Sequence, residues 1–81
     1  MEPKIHVNIR NKDQVFFDGE VNALSSYNDV GLFDILPMHE NFISLIKDKI
    51  ILHNKEANKE LKIKQGLLRV KDSKVNIYLG L

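Results

Sequence analysis

The sequence has 81 residues, of which 43% are hydrophobic, and it has no cysteine and a formal net charge of +1. We therefore expect a single domain over residues 1–81, and the composition excludes a disordered chain, a disulfide framework and a thiolate metal site. The near-neutral charge argues against a general nucleic-acid-binding protein, and no apolar run approaches the roughly 20 residues of a membrane-spanning helix.

The first segment predicts a strand and a turn. The charged residues at positions 1–4 are not followed by the apolar segment that a signal peptide requires. Ile5, Val7 and Ile9 alternate with polar residues, and this period of two indicates a half-buried strand. Residues 11–13, Asn-Lys-Asp, favour local hydrogen bonds to the backbone and predict a turn.

The next segment predicts a second strand and a loop. Residues 15–24 are rich in apolar side chains, but their alternation shifts parity between Val21 and Leu24. A bulge near Gly19, or burial on both faces, would produce such a shift. Residues 25–31 contain a Ser-Ser pair, Asn, Asp and Gly, so we expect a loop there.

The middle of the chain contains one clear strand and one ambiguous segment. Residues 32–36 predict a short strand, which Pro37 ends because proline has no N–H group for a strand ladder. Residues 42–52 fit either a helix or two short strands, and their isoleucines weakly favour strands.

The last third predicts a hairpin and two further strands. The expected features are a hairpin tip at 55–58, a strand at 67–70 opened by Gly66, a turn at 72–73 and a final strand over 75–79. Many short strands with closely spaced turns predict an all-β fold, a small antiparallel β-sandwich of two packed sheets with about ten strands.

Three motifs occur in order along this chain. They are an aromatic residue followed by Gly-Glu-Val (Phe17, 19–21), a Gly-x-Phe-x-Ile-Leu-Pro-x-His segment (31–39), and a Gly-x-Leu-x-Val strand followed by a Val-x-Ile strand (66–70, 75–77). They resemble the N-terminal β-sandwich domain of the epsilon subunit of F-type ATP synthases, and the order and spacing of the strands match that family across roughly residues 5–78.

The departures from the family pattern fall in turns and at strand ends. Met38 stands where the family usually has the glycine of Pro-Gly-His, and Asp34 and Gln65 also replace common glycines. Ser26 and Tyr27 stand where a Pro-Gly pair often follows the second strand. The family usually continues into a helical hairpin that restrains ATP hydrolysis, whereas this sequence ends after the last predicted strand. We therefore expect a form without the hairpin, either naturally short or truncated to the sandwich.

The resemblance implies an accessory subunit of the rotor that is not an enzyme and has no cofactor, metal or nucleotide site. Such a subunit packs against gamma, rests on the polar loops of the membrane c-ring, and helps to couple proton transport to ATP synthesis. It is peripheral to the membrane, at the cytoplasmic face of the bacterial inner membrane or an organellar equivalent, and binds no nucleic acid. The resemblance implies that five residues contact the c-ring, namely Leu32, Pro37, Met38, His39 and Glu40. Leu32 is expected on a turn that faces the other four.

The Pro37–Glu40 segment is open to three interpretations. Catalysis would need a nucleophile or metal and an oriented base, and no such group is predicted within reach of His39. A structural histidine that bonds the backbone of a turn is one alternative, and contact with a partner protein is the other. His6 and His53 have no spacing that would bring them to His39 as metal ligands.

The aromatic and basic residues are assigned mainly to structural roles. The phenylalanines at 16, 17, 33 and 42 are expected in the core, except that one of Phe16 and Phe17 must point outward if the strand is regular. Residues 1–46 carry a net charge of −4 and residues 47–81 a net charge of +5. The basic half is interpreted as a solvated surface. The alternative function is a stand-alone domain that binds a ligand or nucleic acid through this half.

Overall fold

Seven strands form the whole of the fold in the computed structural model, which describes residues 3–80. The sheet order is β2-β1-β7-β6-β5-β3-β4, and all neighbours are antiparallel except the parallel pair of β1 and β7. The strands are β1 (Ile5–Arg10), β2 (Val15–Val21), β3 (Ala23–Asn28), β4 (Gly31–Ile35), β5 (Phe42–His53), β6 (Lys59–Lys71) and β7 (Lys74–Leu79). The all-β prediction is confirmed.

Two strands are longer than predicted, and they account for the lower strand number. β5 has 12 residues and β6 has 13, so each replaces two of the short strands expected from the sequence. The segment 42–52 is neither a helix nor two strands, and Gly66 lies inside β6 rather than at the start of a strand. The predicted total of about ten strands is therefore wrong.

A bulge in the β5–β6 pair divides the sheet into two halves. Lys47 pairs with Gln65 and Asp48 pairs with Ile63, so Lys64 is the extra residue on β6. Asp48 itself has a positive φ of 71°. The first half of β5 thus joins the layer of β6, β7, β1 and β2, whereas its second half joins β3 and β4. The two layers of the sandwich are halves of one continuous hydrogen-bonded sheet.

The extra residue also changes which side chains of β6 point inward. Before the bulge, Leu61 and Ile63 pack against the core, and beyond it Leu68 and Val70 are buried. An uninterrupted strand would place odd-numbered and even-numbered residues on opposite faces. The bulge therefore lets both halves of β6 contribute to a single core.

The core is aliphatic, and the aromatic residues lie at its margin. Phe17, Phe33 and Phe42 are only partly buried, and Phe16 is 39% exposed, which confirms that one of the adjacent pair points outward. Full burial of an aliphatic side chain contributes roughly 1.5–3 kcal/mol. The buried apolar residues are Ile5, Val7, Ile9, Val21, Leu24, Ile35, Ile46, Ile50, Leu52, Leu68, Val70, Val75 and Ile77.

Two predictions in the region of β2 and β3 are wrong. The bulge in β2 is at Phe16 rather than near Gly19, because Arg10 pairs with Val15 and Ile9 pairs with Phe17. The predicted loop at 25–31 is mostly β3, since its two serines are buried and hydrogen-bonded. The parity shift arises because β2 ends at Val21 and β3 begins at Ala23.

The predicted turns at 72–73 and 55–58 are confirmed. Asp72 and Ser73 both have positive φ, 51° and 62°, as the two central residues of a type I′ hairpin turn do. Residues 54–58 connect β5 to β6. Residues 3–80 contain no helix of the length and hydropathy needed to cross a membrane.

Candidate functional site

The Pro37 segment forms a tight turn between β4 and β5. The Leu36 carbonyl accepts a hydrogen bond from the N–H of His39 (3.1 Å), and Met38 has a φ of 65°. Proline at the second position and positive φ at the third are the features of a type II turn, which favours glycine at the third position. Methionine retains this conformation at a cost of roughly 1–2 kcal/mol.

His39 has a structural role in this turn. Its Nδ1 donates to the Glu40 carbonyl (2.8 Å), and its ring packs edge-on against Phe42 with the ring centres 5.7 Å apart. Phe42 in turn contacts Phe33, with the ring centres 5.6 Å apart. His39 therefore anchors the turn to the aromatic margin of the core.

A second turn supports the first. The N–H of Met38 donates to Ser73 Oγ (3.3 Å), and the Ser73 carbonyl accepts from the N–H of His6 (3.1 Å). The Pro37 turn is thus attached to the β6–β7 turn, which is attached to β1. We call residues 36–40 together with 72–73 the turn platform. Its apolar side chains are exposed, Met38 by 86% and Leu36 by 56%.

Leu32 does not belong to the turn platform. It lies near the start of β4 rather than on a facing turn, and its side chain is 61% exposed. Along an extended strand, Leu32 and Leu36 are about 13 Å apart. The structure thus keeps Pro37, Met38, His39 and Glu40 together and places the fifth predicted residue at the other end of β4.

Sequence reasoning missed an apolar surface on the outer face of the sheet. Leu45 pairs with Leu67, and Leu67 pairs with Tyr78, so their side chains form one row across β5, β6 and β7. Ile43 extends the row along β5. The exposed fractions of Leu45, Ile43 and Tyr78 are 67%, 65% and 45%. We call these four residues the outer row.

Basic side chains border the outer row. Arg69 pairs with Ile43, and Arg10 pairs with Tyr78 across the parallel β1–β7 ladder. Because the sheet order inserts β7 and β6 between β1 and β5, the acidic and basic halves of the sequence are interleaved. This mixing agrees with the interpretation of the charged residues as solvated strand faces.

A serine, an aspartate and a histidine meet on β3, β4 and β5, but not as a catalytic triad. Ser25 Oγ donates to Asp34 Oδ1 and lies 2.8 Å from His53 Nε2. Since the only hydroxyl proton points to the carboxylate, Nε2 must donate to Ser25 and cannot act as its base. Ser25 is also only 5% exposed. The cluster links three neighbouring strands through side-chain hydrogen bonds.

The other candidate polar groups are engaged locally. Ser44, the hydroxyl nearest His39 in the sequence, donates to the Leu45 carbonyl (3.0 Å) and accepts from Asn28 Nδ2 (3.3 Å). His6 lies 3.1 Å from Asp18 across β1 and β2. Among residues 3–80, no three His, Asp or Glu side chains are grouped as metal ligands would be.

Known proteins resemble this chain over nearly its whole length. The family described as "ATP synthase, Delta/Epsilon chain, beta-sandwich domain" matches residues 4–79. An ATP synthase epsilon chain of Leptospira borgpetersenii serovar Hardjo-bovis (strain JB197) is 27% identical over 75 residues, which are 91% of this chain and 59% of that protein.

Two solved structures share the fold. A chain of the Euglena gracilis mitochondrial ATP synthase (OSCP, F1 and c-ring) has a TM-score of 0.86 and 18% identity, covering 94% of this chain and 50% of that one. A chain of the Tetrahymena thermophila mitochondrial ATP synthase (central stalk and c-ring) has a TM-score of 0.77 and 14% identity, covering 96% and 64%. The chain thus spans between half and two thirds of the length of these relatives.

Proposed function

Because the chain belongs to the family of ATP synthase delta/epsilon chain β-sandwich domains, we propose that it is a non-catalytic subunit of the central stalk of an F-type ATP synthase. In this role it links gamma to the membrane c-ring and helps to couple proton transport to ATP synthesis. The family match over residues 4–79 carries the proposal, and the stalk and c-ring assemblies of the two structural relatives support it. The chain is then peripheral to the membrane, at the cytoplasmic face in a bacterium.

The outer row is the surface that we assign to gamma. A contiguous exposed apolar surface on a small domain marks a protein–protein interface, and aromatic and arginine side chains are frequent in such interfaces. Tyr78 and the bordering Arg10 and Arg69 supply both types of side chain. The row lies on paired strands, so little backbone ordering opposes docking.

The turn platform is the surface that we assign to the polar loops of the c-ring. Pro37 restricts the backbone, and the hydrogen bond from Met38 N–H to Ser73 fixes the turn before contact. Met38 presents a flexible apolar side chain, and Glu40 adds a charged group beside it. The alternative of nucleic-acid or ligand binding through the basic half is not favoured, because the family match spans the chain and both halves share one sheet.

The gamma assignment predicts the effect of one charge on the outer row. The wild-type chain should co-purify with gamma and the c-ring from detergent-solubilised membranes of its source. Leu45→Asp should lower the affinity for purified gamma at least about tenfold in calorimetric titration, because it places a carboxylate in an apolar interface. Val30→Asp, at a side chain that is 96% exposed on the β3–β4 turn, is the matched control. Equal affinities of the two variants would contradict the assignment.

The c-ring assignment predicts a coupling defect without unfolding. Met38→Asp should leave the domain folded, because this side chain is 86% exposed. In membrane vesicles it should reduce proton-driven ATP synthesis by about half or more, since a desolvated carboxylate opposes docking on the ring. His39→Ala should act in the same direction by loosening the turn, whereas Met38→Leu should behave as wild type. Normal synthesis by both Met38→Asp and His39→Ala would exclude this role of the turn.

A further inference from the structure

One stretch of β6 has an unpaired edge. β6 pairs with β5 from Lys59 onward, but it pairs with β7 only from Gly66 to Lys71. The β6–β7 ladder ends at the pair of Gly66 with Leu79, and the next residue, Gly80, has a φ of 78° and leaves the strand. Within residues 3–80, the segment 59–64 therefore has a strand neighbour on one side only.

A groove runs along this edge. Its volume is about 640 Å³, and it lies between β6, the bulged start of β2 and the end of β7. Phe16, Leu61, Ile63 and Leu79 supply its apolar walls. Elsewhere at the margin of the core, the rings of Phe33 on β4 and Phe42 on β5 pack against each other, with their centres 5.6 Å apart.

The charge along this edge is positive. Lys62 and Lys64 line the groove and are exposed, and Lys59 Nζ lies 5.6 Å from the centre of the Phe17 ring. The one acid in the segment, Glu60, is paired with Lys49 (3.3 Å). Lysines on a free edge oppose pairing with a second copy of the same edge, because like charges would lie opposite each other. The same lysines attract an acidic segment.

We propose that the free edge of β6 over residues 59–64 binds an extended segment of another protein in which apolar and acidic residues alternate. The segment adds a strand beside β6, so that its backbone pairs with the open edge and extends the sheet. Its apolar side chains enter the groove beside Phe16 and Leu79, and its acids lie next to Lys62 and Lys64, because neighbouring residues of a strand point to opposite faces. Six residues cover about 20 Å of edge. This surface is separate from the outer row and the turn platform, and the inference does not depend on the proposed function.

The test is a titration with a labelled peptide of eight residues in which valine and glutamate alternate. Fluorescence anisotropy should show saturable binding to the wild-type chain. Lys62→Glu with Lys64→Glu should weaken binding about tenfold or more, because each new acid opposes the acids of the added strand. Lys71→Glu with Lys74→Glu, the same change in charge at the other end of β6, should alter the affinity by less than about threefold. Circular dichroism of both variants is the check that each is folded.

Two further measurements distinguish strand addition from simple charge attraction. Hydrogen exchange of the wild-type chain should slow at residues 59–64 when the peptide is bound, and a peptide with a central proline should bind at least about tenfold more weakly. Equal weakening by the two lysine pairs, or protection outside residues 59–64, would overturn the proposal. A stable dimer that protects the same residues without peptide would also overturn it, since the occupant would then be a second copy.

Discussion

Leu24→Ala is expected to lower the free energy of unfolding by about 3 kcal/mol. Leu24 is fully buried in β3, between its pairing partners Ile35 on β4 and Leu52 on β5. Removing three carbon atoms loses their transfer free energy and leaves a cavity that a close-packed sheet cannot fill. The whole free energy of unfolding of a chain of 81 residues is roughly 4–12 kcal/mol. Thermal unfolding followed by circular dichroism should therefore show a midpoint lower by about 10 °C or more.

Leu32→Ala is the matched control for this change. Leu32 lies on the neighbouring strand β4 and pairs with Tyr27, but its side chain is 61% exposed. The same truncation should cost less than about 0.5–1 kcal/mol, because the side chain already contacts water. Similar losses of stability in the two variants would mean that Leu24 does not lie in the core.

Gly66→Ala is expected to cost about 2 kcal/mol of stability through overpacking. A methyl group at this position would lie 2.9 Å from Leu79 Cδ2 and 3.0 Å from the Tyr78 carbonyl oxygen. The Leu79 side chain can rotate, but the carbonyl belongs to the β7 backbone, so the ladder itself must shift. Urea denaturation should show a lower midpoint with an unchanged slope.

Gly19→Ala provides the comparison for Gly66→Ala. Its new methyl group would lie 3.3 Å from Cζ of Phe17, a partly buried ring that can move slightly. Alanine also costs less backbone entropy than glycine in a strand, by roughly 0.5–1 kcal/mol, which offsets the contact. The net change in the free energy of unfolding should be less than about 1 kcal/mol. A larger loss at Gly19 than at Gly66 would contradict the geometry of the β6–β7 approach.

The sequence predicts best those strands that have one face buried and no irregularity. β1 and β7 alternate cleanly, and both are found close to their expected bounds. The Pro37 turn and the turn at 72–73 are likewise recognisable from residue chemistry. The segment 42–52 misleads because apolar side chains lie on both faces of β5. Ile46, Ile50 and Leu52 are buried, whereas Ile43 and Leu45 are exposed, so the apolar alternation that identifies a strand is hidden.

Buried polar residues and exposed apolar residues account for the remaining errors. Ser25 and Ser26 read as loop residues, yet tertiary hydrogen bonds to His53 and to the Lys49 carbonyl hold them inside a strand. The outer row cannot be recognised before the strand pairing is known. Leu45, Leu67 and Tyr78 come from three strands and become neighbours only through the register of those strands. Of the candidate surface, the sequence therefore predicts the Pro37–Glu40 turn, but neither its attachment to Ser73 nor the apolar face.

The parallel pairing of β1 with β7 has a mechanical consequence. Five residue pairs join these strands, from His6 with Lys74 to Arg10 with Tyr78. Because the strands run in the same direction, a force that pulls the start of β1 away from the end of β7 acts along the ladder. Such a force loads all the hydrogen bonds between the two strands at once, in shear, instead of breaking them one after another. The domain should therefore resist stretching between these two points much better than a pull that peels the edge strand β4 from β3.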